Sequence, residues 1–145
     1  MEFKQIGVIG AGTMGNGIAQ VFAQAGFSVV MADVSDAAVA RGLASIGSSL
    51  ARLVKKGAQT EAGASEVLAR IHGRTGLAAL ADCQLVIEAA TENAAIKEQI
   101  FRELAGIVGP DTILASNTSS ISLTTIAAWV PQPQRVIGMH FMNPV

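Results

Sequence analysis

The stretch "VIGAGTMG", residues 8–15, decides the fold of this chain because it spaces three glycines as G-x-G-x-x-G, at Gly10, Gly12 and Gly15. An apolar run that ends on Gly10 precedes the motif and is typical of a buried strand. The residues that follow it, up to Gly26, are typical of a helix. A strand, a tight glycine turn and a helix in this order predict the first half of a β–α–β unit.

The rest of the chain continues this alternation of short apolar runs and longer helical stretches. Asp36 is the predicted N-cap of the second helix and Thr60 that of the third. Apolar strands that are each followed by a helix predict an α/β fold, with a doubly wound, mainly parallel sheet and helices on both faces. The predicted strands are 4–10, 27–33, 83–90, 112–117 and 135–142, and the predicted helices are 13–26, 36–56, 61–72, 94–109 and 122–130.

Polar residues and glycine follow the ends of the predicted strands. In a doubly wound sheet, ligands bind outside the carboxyl ends of the strands. The sequence therefore predicts that one edge of the sheet carries the site, formed by Gly10, Asp33, 89–91, 116–119 and 140–143.

Composition excludes several classes of function. Half of the 145 residues are hydrophobic and the net charge is -1, which gives no electrostatic reason to expect a nucleic acid partner. Cys83 is the single cysteine, so we expect no disulfide framework, no metal site and a reducing, cytoplasmic setting. Residues 6–32 lack charge over a length that could span a bilayer. Because this run contains the glycine motif, we interpret it as two buried strands flanking a helix and expect no membrane association.

The glycine motif and Asp33 together predict a dinucleotide site. Gly10 allows the tight turn, Gly12 lets the backbone approach a pyrophosphate, and Gly15 lets the helix pack closely on the sheet. Thr13 and Met14 begin the helix, whose free N–H groups favour phosphate. Asp33 would accept hydrogen bonds from ribose hydroxyls and repel a 2′-phosphate. Since no arginine follows before Arg41, we predict NAD rather than NADP. The alternative is that the glycines merely permit tight packing.

Four segments at matching spacing resemble those of one known family, the L-3-hydroxyacyl-CoA dehydrogenases, which include the 3-hydroxybutyryl-CoA dehydrogenases. The resemblance covers the whole chain and implies that residues 1–145 form a Rossmann-type NAD-binding domain. It also implies interconversion of a 3-hydroxyacyl-CoA and a 3-oxoacyl-CoA. The segments are "GVIGAGTMGNGIAQVFAQAG" (7–26), "LVIEAATENAAIKEQIF" (85–101), "ILASNTSSISLTTIA" (113–127) and "GMHFMNPV" (138–145).

The resemblance also implies catalytic roles for three residues. His140 would be the general base that takes the hydroxyl proton, a role that suits an imidazole of near-neutral pKa. Ser119 would hydrogen-bond the reacting oxygen near the nicotinamide, and Asn143 would be a second polar contact there. The alternatives are a core histidine at a strand end, a serine that caps the next helix, and a turn residue before Pro144.

Further contacts follow from the same resemblance. Glu92 and Lys97 match positions that contact the cofactor, with a solvated first helical turn as the alternative, and Asn117 has weaker support as a site residue. Ser49 and Lys56 share a face of the second predicted helix and match contacts to CoA, with ordinary surface residues as the alternative. No role is assigned to Glu88, Cys83 or His72.

The family pairs its catalytic histidine with a glutamate that would lie beyond Val145. It also adds a helical C-terminal domain that closes over the substrate and forms a homodimer. We therefore expect this chain to be the nucleotide-binding domain of a larger enzyme, able to fold and bind NAD(H) but turning over poorly by itself.

Two other interpretations remain open. A β-hydroxyacid-type dehydrogenase also has a glycine motif that fits 10–15, but it relies on a lysine in its second domain. The segments "SNTSS" and "HFMNPV" would then have no function. A non-catalytic NAD-sensing module would suit the short chain, although it would not need His140, Ser119 and Asn143.

Overall fold

The computed structural model describes residues 2–145 and shows a parallel sheet covered by helices on both faces. In the described part of the chain the sheet has six strands in the order β3-β2-β1-β4-β5-β6, and every neighbouring pair is parallel. The predicted doubly wound, Rossmann-type fold is confirmed. The strands are β1 Gln5–Ile9, β2 Ser28–Asp33, β3 Ile71–Thr75, β4 Leu85–Glu88, β5 Ile113–Ser116 and β6 Val136–Gly138.

Within residues 2–145, four of the five α-helices begin after a residue whose side chain caps them, and the first begins after Gly12, which has no side chain to do so. Thr60 accepts a hydrogen bond from the N–H of Gly63, as predicted. The prediction of Asp36 as a cap is wrong by one residue, because Ser35 has the extended backbone of a cap and accepts from the N–H of Ala38. The helices are α1 Thr13–Gln24, α2 Asp36–Lys55, α3 Glu61–Ala69, α4 Ala94–Ala105 and α5 Leu123–Ala127, with 3₁₀ turns at Ala78–Leu80 and Pro133–Arg135.

The edge strand β3 corrects the prediction of a helix over 61–72. The helix ends at Ala69, and His72 lies on the strand, opposite Val30 of β2. The sequence of β3 lacks apolar alternation because α2 packs very close to it. A Cβ at Gly73 would lie 2.4 Å from the side chain of Val39. Glycine and exposed polar residues thus replace the branched side chains that usually indicate a strand.

The last strand is also shorter than the predicted 135–142, because it stops at Gly138. The N–H of Met139 still donates to the carbonyl oxygen of Ser116, at 3.0 Å. The N–H of Phe141, however, donates to the side chain of Asn117 instead of to the backbone of β5. His140 therefore lies in the segment that follows the strand.

Two apolar layers hold the sheet between the helices. On one face α1, α2 and α3 cover the sheet, and on the other α4, α5 and the turn at Ala78–Leu80 do so. Burial of these side chains is the main stabilising contribution to such a fold. Buried residues of the first layer include Ile18, Ile46, Val67 and Met31, and those of the second include Phe101, Leu104, Ile126 and Val86.

Candidate functional site

The turn after β1 shows why its three glycines are spaced as they are. Gly10 has a φ of 109°, which an L side chain rarely adopts. A Cβ at Gly15 would lie 1.8 Å from the carbonyl oxygen of Gly10, so α1 packs directly on the turn. At Gly12, by contrast, no atom lies within 4 Å of the position of a Cβ. The backbone at Gly12 is thus open to a ligand at the start of α1.

Asp33 is held against this turn at the end of β2. Its Oδ2 accepts a hydrogen bond from the N–H of Ala11 at 2.8 Å, and its Oδ1 accepts from Val34 at 2.7 Å. Each carboxylate oxygen can accept another hydrogen bond. Asp33 also lines a cavity of about 260 Å³ between the turn and α2, together with Gly12, Thr13, Asn16 and Arg41.

An apolar cleft lies on the other side of Asp33, and the sequence interpretation missed it. It has a volume of about 360 Å³ and is lined by Val34, Leu77, Ile96 and Ile100. Val34 is 89% exposed and Ile96 is 50% exposed, although both are large apolar residues. Exposed apolar side chains around a concave surface are typical of a ligand site. The only sequence signal was an apolar residue directly after Asp33.

Besides the cavity at Gly12, a second polar cavity, of about 190 Å³, lies at the ends of β4 and β5. Of the residues that the sequence predicted at this edge of the sheet, 89–91 and 117–118 line the cavity. Its lining also includes Met14 from α1, Glu92 from the loop before α4 and Lys97 from the first turn of α4. Three of the predicted cofactor contacts therefore meet in this cavity.

Glu92 organises the loop that carries Ser119. Its carboxylate accepts hydrogen bonds from the hydroxyl of Thr118 at 2.8 Å, the hydroxyl of Ser120 at 2.5 Å and the N–H of Ser119 at 3.4 Å. Partial burial would raise the pKa of Glu92. The hydrogen bonds from Ser120, Thr118 and Ser119 and the charge of Lys97 outweigh that effect and lower the pKa below its ordinary value. Glu92 is thus an anion at neutral pH.

Lys97 is buried, which rules out a solvated helical turn at this position. Its side chain is 1% exposed and forms an ion pair with Glu88, which is 0% exposed. Glu88, which received no role from the sequence, also accepts a hydrogen bond from the hydroxyl of Ser116 at 2.9 Å. Glu88 and Lys97 both line the second polar cavity.

The three candidate catalytic residues are exposed on the loops that follow β5 and β6. The side chain of His140 is exposed, so the alternative of a buried core histidine is wrong. Ser119 and Asn143 are exposed as well. The residue that caps α5 is Ser122, whose hydroxyl accepts from Thr125, and not Ser119. All three side chains are therefore accessible to a substrate.

The two candidate CoA contacts lie apart from these cavities. Ser49 is half-buried on α2, and Lys56 is exposed at the end of that helix. Neither residue lines the cavities at the ends of the strands. They belong to the outer surface of α2.

The part of the chain that comprises residues 2–145 contains no group of three or more His, Cys, Asp and Glu that could hold a metal ion. None of its helices is both long enough and apolar enough to cross a bilayer. Burial, followed by the nearby charge of Asp82, raises the pKa of the Cys83 thiol to about 12, so this cysteine is not a thiolate at neutral pH.

Comparison with known proteins gives a consistent result. Residues 5–145 match the family described as 3-hydroxyacyl-CoA dehydrogenase, NAD binding domain. The chain is 52% identical over 142 residues to a 3-hydroxybutyryl-CoA dehydrogenase of Bradyrhizobium diazoefficiens, which covers 98% of this chain and 48% of that protein. A probable 3-hydroxybutyryl-CoA dehydrogenase of Bacillus subtilis is 52% identical over 145 residues, covering 100% and 50%.

Solved structures agree with these matches. The crystal structure of (S)-3-hydroxybutyryl-CoA dehydrogenase PaaH1 from Ralstonia eutropha superposes with a TM-score of 0.97 at 53% identity, covering 99% of this chain and 51% of the other. The chain thus spans about half the length of these three relatives.

Proposed function

The chain belongs to the family of NAD-binding domains of 3-hydroxyacyl-CoA dehydrogenases, and on that premise we propose the reaction of the complete enzyme. It interconverts (S)-3-hydroxyacyl-CoA and 3-oxoacyl-CoA with NAD as cofactor, and 3-hydroxybutyryl-CoA and acetoacetyl-CoA are the expected pair. The observation that carries this proposal is the structure of the sheet edge. There Asp33 is bonded to the glycine turn, the start of α1 lines the same cavity as the loop that leads to Ser119, and that loop is bonded to the segment of His140.

The residues present fit NAD. The open backbone at Gly12 and the N-terminus of α1 would receive the pyrophosphate. Asp33 has free acceptor capacity for ribose hydroxyls, and the apolar cleft between Val34 and Ile96 suits a flat adenine ring. Glu92 and Lys97 would contact the nicotinamide half from the second polar cavity. When bound, NAD supplies the acceptor or donor of the hydride exchanged with carbon 3 of the substrate.

Side chains of this chain accept and return the proton of the substrate hydroxyl. In oxidation, Nδ1 or Nε2 of His140 takes the proton of the substrate hydroxyl, and in reduction the imidazolium returns it to the forming alkoxide. The hydroxyl of Ser119 donates a hydrogen bond to the same oxygen, which stabilises negative charge as it develops. Asn143 supplies a second polar contact near the nicotinamide. Support comes from the exposure of all three side chains on the loops after two adjacent strands.

The CoA portion would lie along the outer surface of α2. Lys56 is exposed at the end of that helix and would attract a phosphate group, while the hydroxyl of Ser49 would add a hydrogen bond. The two positions are two helical turns apart on one face, a separation that a nucleotide can bridge.

The complete enzyme is proposed to contain a second, helical domain, as its relatives are about twice as long. That domain would supply the glutamate partner of His140, close over the substrate and form a homodimer in the cytoplasm.

Acetoacetyl-CoA-dependent oxidation of NADH tests the proposal, with the polypeptide extended past Val145 by its native gene. We expect oxidation that His140→Ala abolishes. His72→Ala is the matched control, because His72 is also exposed but lies on the edge strand β3, and it should keep full activity.

Two results would overturn the proposal. If NADH binds but acetoacetyl-CoA is not reduced, the domain belongs to a different dehydrogenase or to a sensor. Activity on free 3-hydroxy acids in place of the CoA thioester would identify the β-hydroxyacid type.

A further inference from the structure

We propose that Glu88 is a positioning residue for the reaction, and that with Lys97 it fixes the location of Ser119 through a continuous chain of hydrogen bonds. This inference rests on the proposed function, because it concerns the serine that would contact the reacting oxygen. Glu88 received no role from the sequence, and it takes no part in the proposed proton or hydride transfer.

Glu88 is the centre of a fully buried polar cluster at the end of β4. Its Oε1 accepts hydrogen bonds from the ammonium group of Lys97 and from the hydroxyl of Ser116. Its Oε2 accepts from the N–H of Ala90 at 2.9 Å and from the N–H of Thr91 at 3.3 Å. Both oxygens are thereby engaged, and the carboxylate fixes the turn between β4 and α4.

Ser116 connects Glu88 to the loop that follows β5. Its hydroxyl donates to Glu88 and accepts a hydrogen bond from the N–H of Thr118 at 3.2 Å. The hydroxyl of Thr118 in turn donates to Glu92, which accepts the N–H of Ser119. The chain of contacts therefore runs from the buried ion pair to the backbone of Ser119 without a gap.

Stability alone does not account for such an ion pair. Apolar residues of similar volume usually stabilise a core as well as a buried ion pair does, because removing both charges from water is costly. Unlike an apolar side chain, a carboxylate forms directional hydrogen bonds and so orients the donors around it. Here two of the donors belong to the loop after β4, and Ser116 directly precedes the loop after β5. Both loops line the second polar cavity.

Ser116→Ala in the complete enzyme is the principal test, because Glu88→Gln leaves Lys97 buried without its charged partner. If Ser116 acts through Ser119, we expect the variant to lower kcat by about tenfold, as a small misplacement of a catalytic group does. In a Ser119→Ala background the same change should lower kcat by less than about twofold, because the group being positioned is gone. A purely structural role would give equal losses in both backgrounds.

Thr112→Val is the matched control. It removes another buried hydroxyl beside the opposite end of β5, where Thr112 donates to the carbonyl oxygen of Cys83 at 2.8 Å. We expect a similar change in melting temperature and unchanged kcat. An equal loss of kcat in Thr112→Val would overturn the inference.

Amide hydrogen exchange over residues 118–121 gives a result that does not depend on activity. We expect faster exchange in Ser116→Ala than in the parent enzyme, and unchanged exchange would overturn the inference. An inactive parent enzyme would instead refute the proposed function, so the two failures are distinguishable.

Discussion

The side-chain oxygen of Asn117, at the end of β5, accepts a hydrogen bond of 2.7 Å from the backbone N–H of Phe141. Phe141 directly follows His140, and Asn117 lies two residues before Ser119. One amide side chain thus joins the loop that carries the proposed base to the loop that carries the proposed oxygen contact. On the other side of His140, the N–H of Met139 is held by the carbonyl oxygen of Ser116. The backbone is fixed on both sides of the histidine.

Asn117→Ala is therefore expected to lower kcat for acetoacetyl-CoA reduction by about tenfold, since it releases the backbone next to His140. The N–H of Phe141 loses its partner, which we expect to cost about 1–3 kcal/mol of unfolding free energy. Asn117→Asp keeps an acceptor oxygen and should retain more activity than the alanine variant. Steady-state kinetics of the complete enzyme would measure both, and an alanine variant with full kcat would contradict the prediction.

Gly15→Ala should mainly lower stability, whereas Gly12→Ala should mainly weaken cofactor binding. At Gly15 the new Cβ would lie 1.8 Å from the backbone oxygen of Gly10, which cannot move without distorting the turn. We expect a loss of about 3 kcal/mol or more in unfolding free energy, measured by urea denaturation.

At Gly12 nothing lies within 4 Å of the added methyl group. We therefore expect a change in unfolding free energy of about 1 kcal/mol or less. The methyl group would nevertheless occupy the approach of the pyrophosphate, so NADH binding should weaken by at least about tenfold. A fluorescence titration with NADH would test this, and unchanged affinity would place the pyrophosphate elsewhere.

Asp33→Asn should change the preference between the two nicotinamide cofactors. The parent carboxylate accepts hydrogen bonds from Ala11 and Val34 and lines the cavity at Gly12, where the ribose is proposed to lie. Loss of a charged acceptor should weaken NADH binding by about tenfold. Loss of the negative charge should at the same time improve the KM for NADPH, and Arg41 in the same cavity offers a positive partner. A KM for NADPH that stays the same or rises would refute the assignment of Asp33.

The sequence predicts those parts of the fold and of the candidate site that depend on local residue preferences. The glycine turn and Asp33 were predictable because a tight turn, a close helix and a strand-end carboxylate each require a particular residue type. The Thr60 cap was predictable for the same reason. Strand β3 was not, because α2 packs against Gly73 and leaves no room for the apolar pattern.

The buried pair of Glu88 and Lys97 could not be found by local patterns either. Lys97 lies in the first turn of α4, where a lysine is usually solvated, and its inward direction results from the carboxylate on β4. The link from Asn117 to Phe141 spans 24 residues and depends on how the chain leaves β6. Both are tertiary contacts at the carboxyl edge of the sheet, and only the assembled sheet brings their residues together.

The pKa of Glu92 gives a prediction about pH. Because the pKa is lower in the folded protein than in the unfolded chain, Glu92 stabilises the fold fully at pH values above its ordinary 4.5. That contribution is lost as the pH falls through the lowered value. Glu92 is exposed, so screening by water should keep it below about 1 kcal/mol.

Urea denaturation of the parent protein and of Glu92→Gln would therefore give a constant difference in unfolding free energy from pH 6 to 8. The difference should shrink as the pH is lowered below 4.5, since protonated Glu92 no longer holds the hydroxyls of Thr118 and Ser120 as a carboxylate does. Glu98→Gln is the control, because Glu98 is paired with Arg102 on the surface of α4 and has no contact with this loop. A difference for Glu92→Gln that grows on acidification would mean that the carboxylate is destabilised in the folded protein, and the loop would then need another anchor.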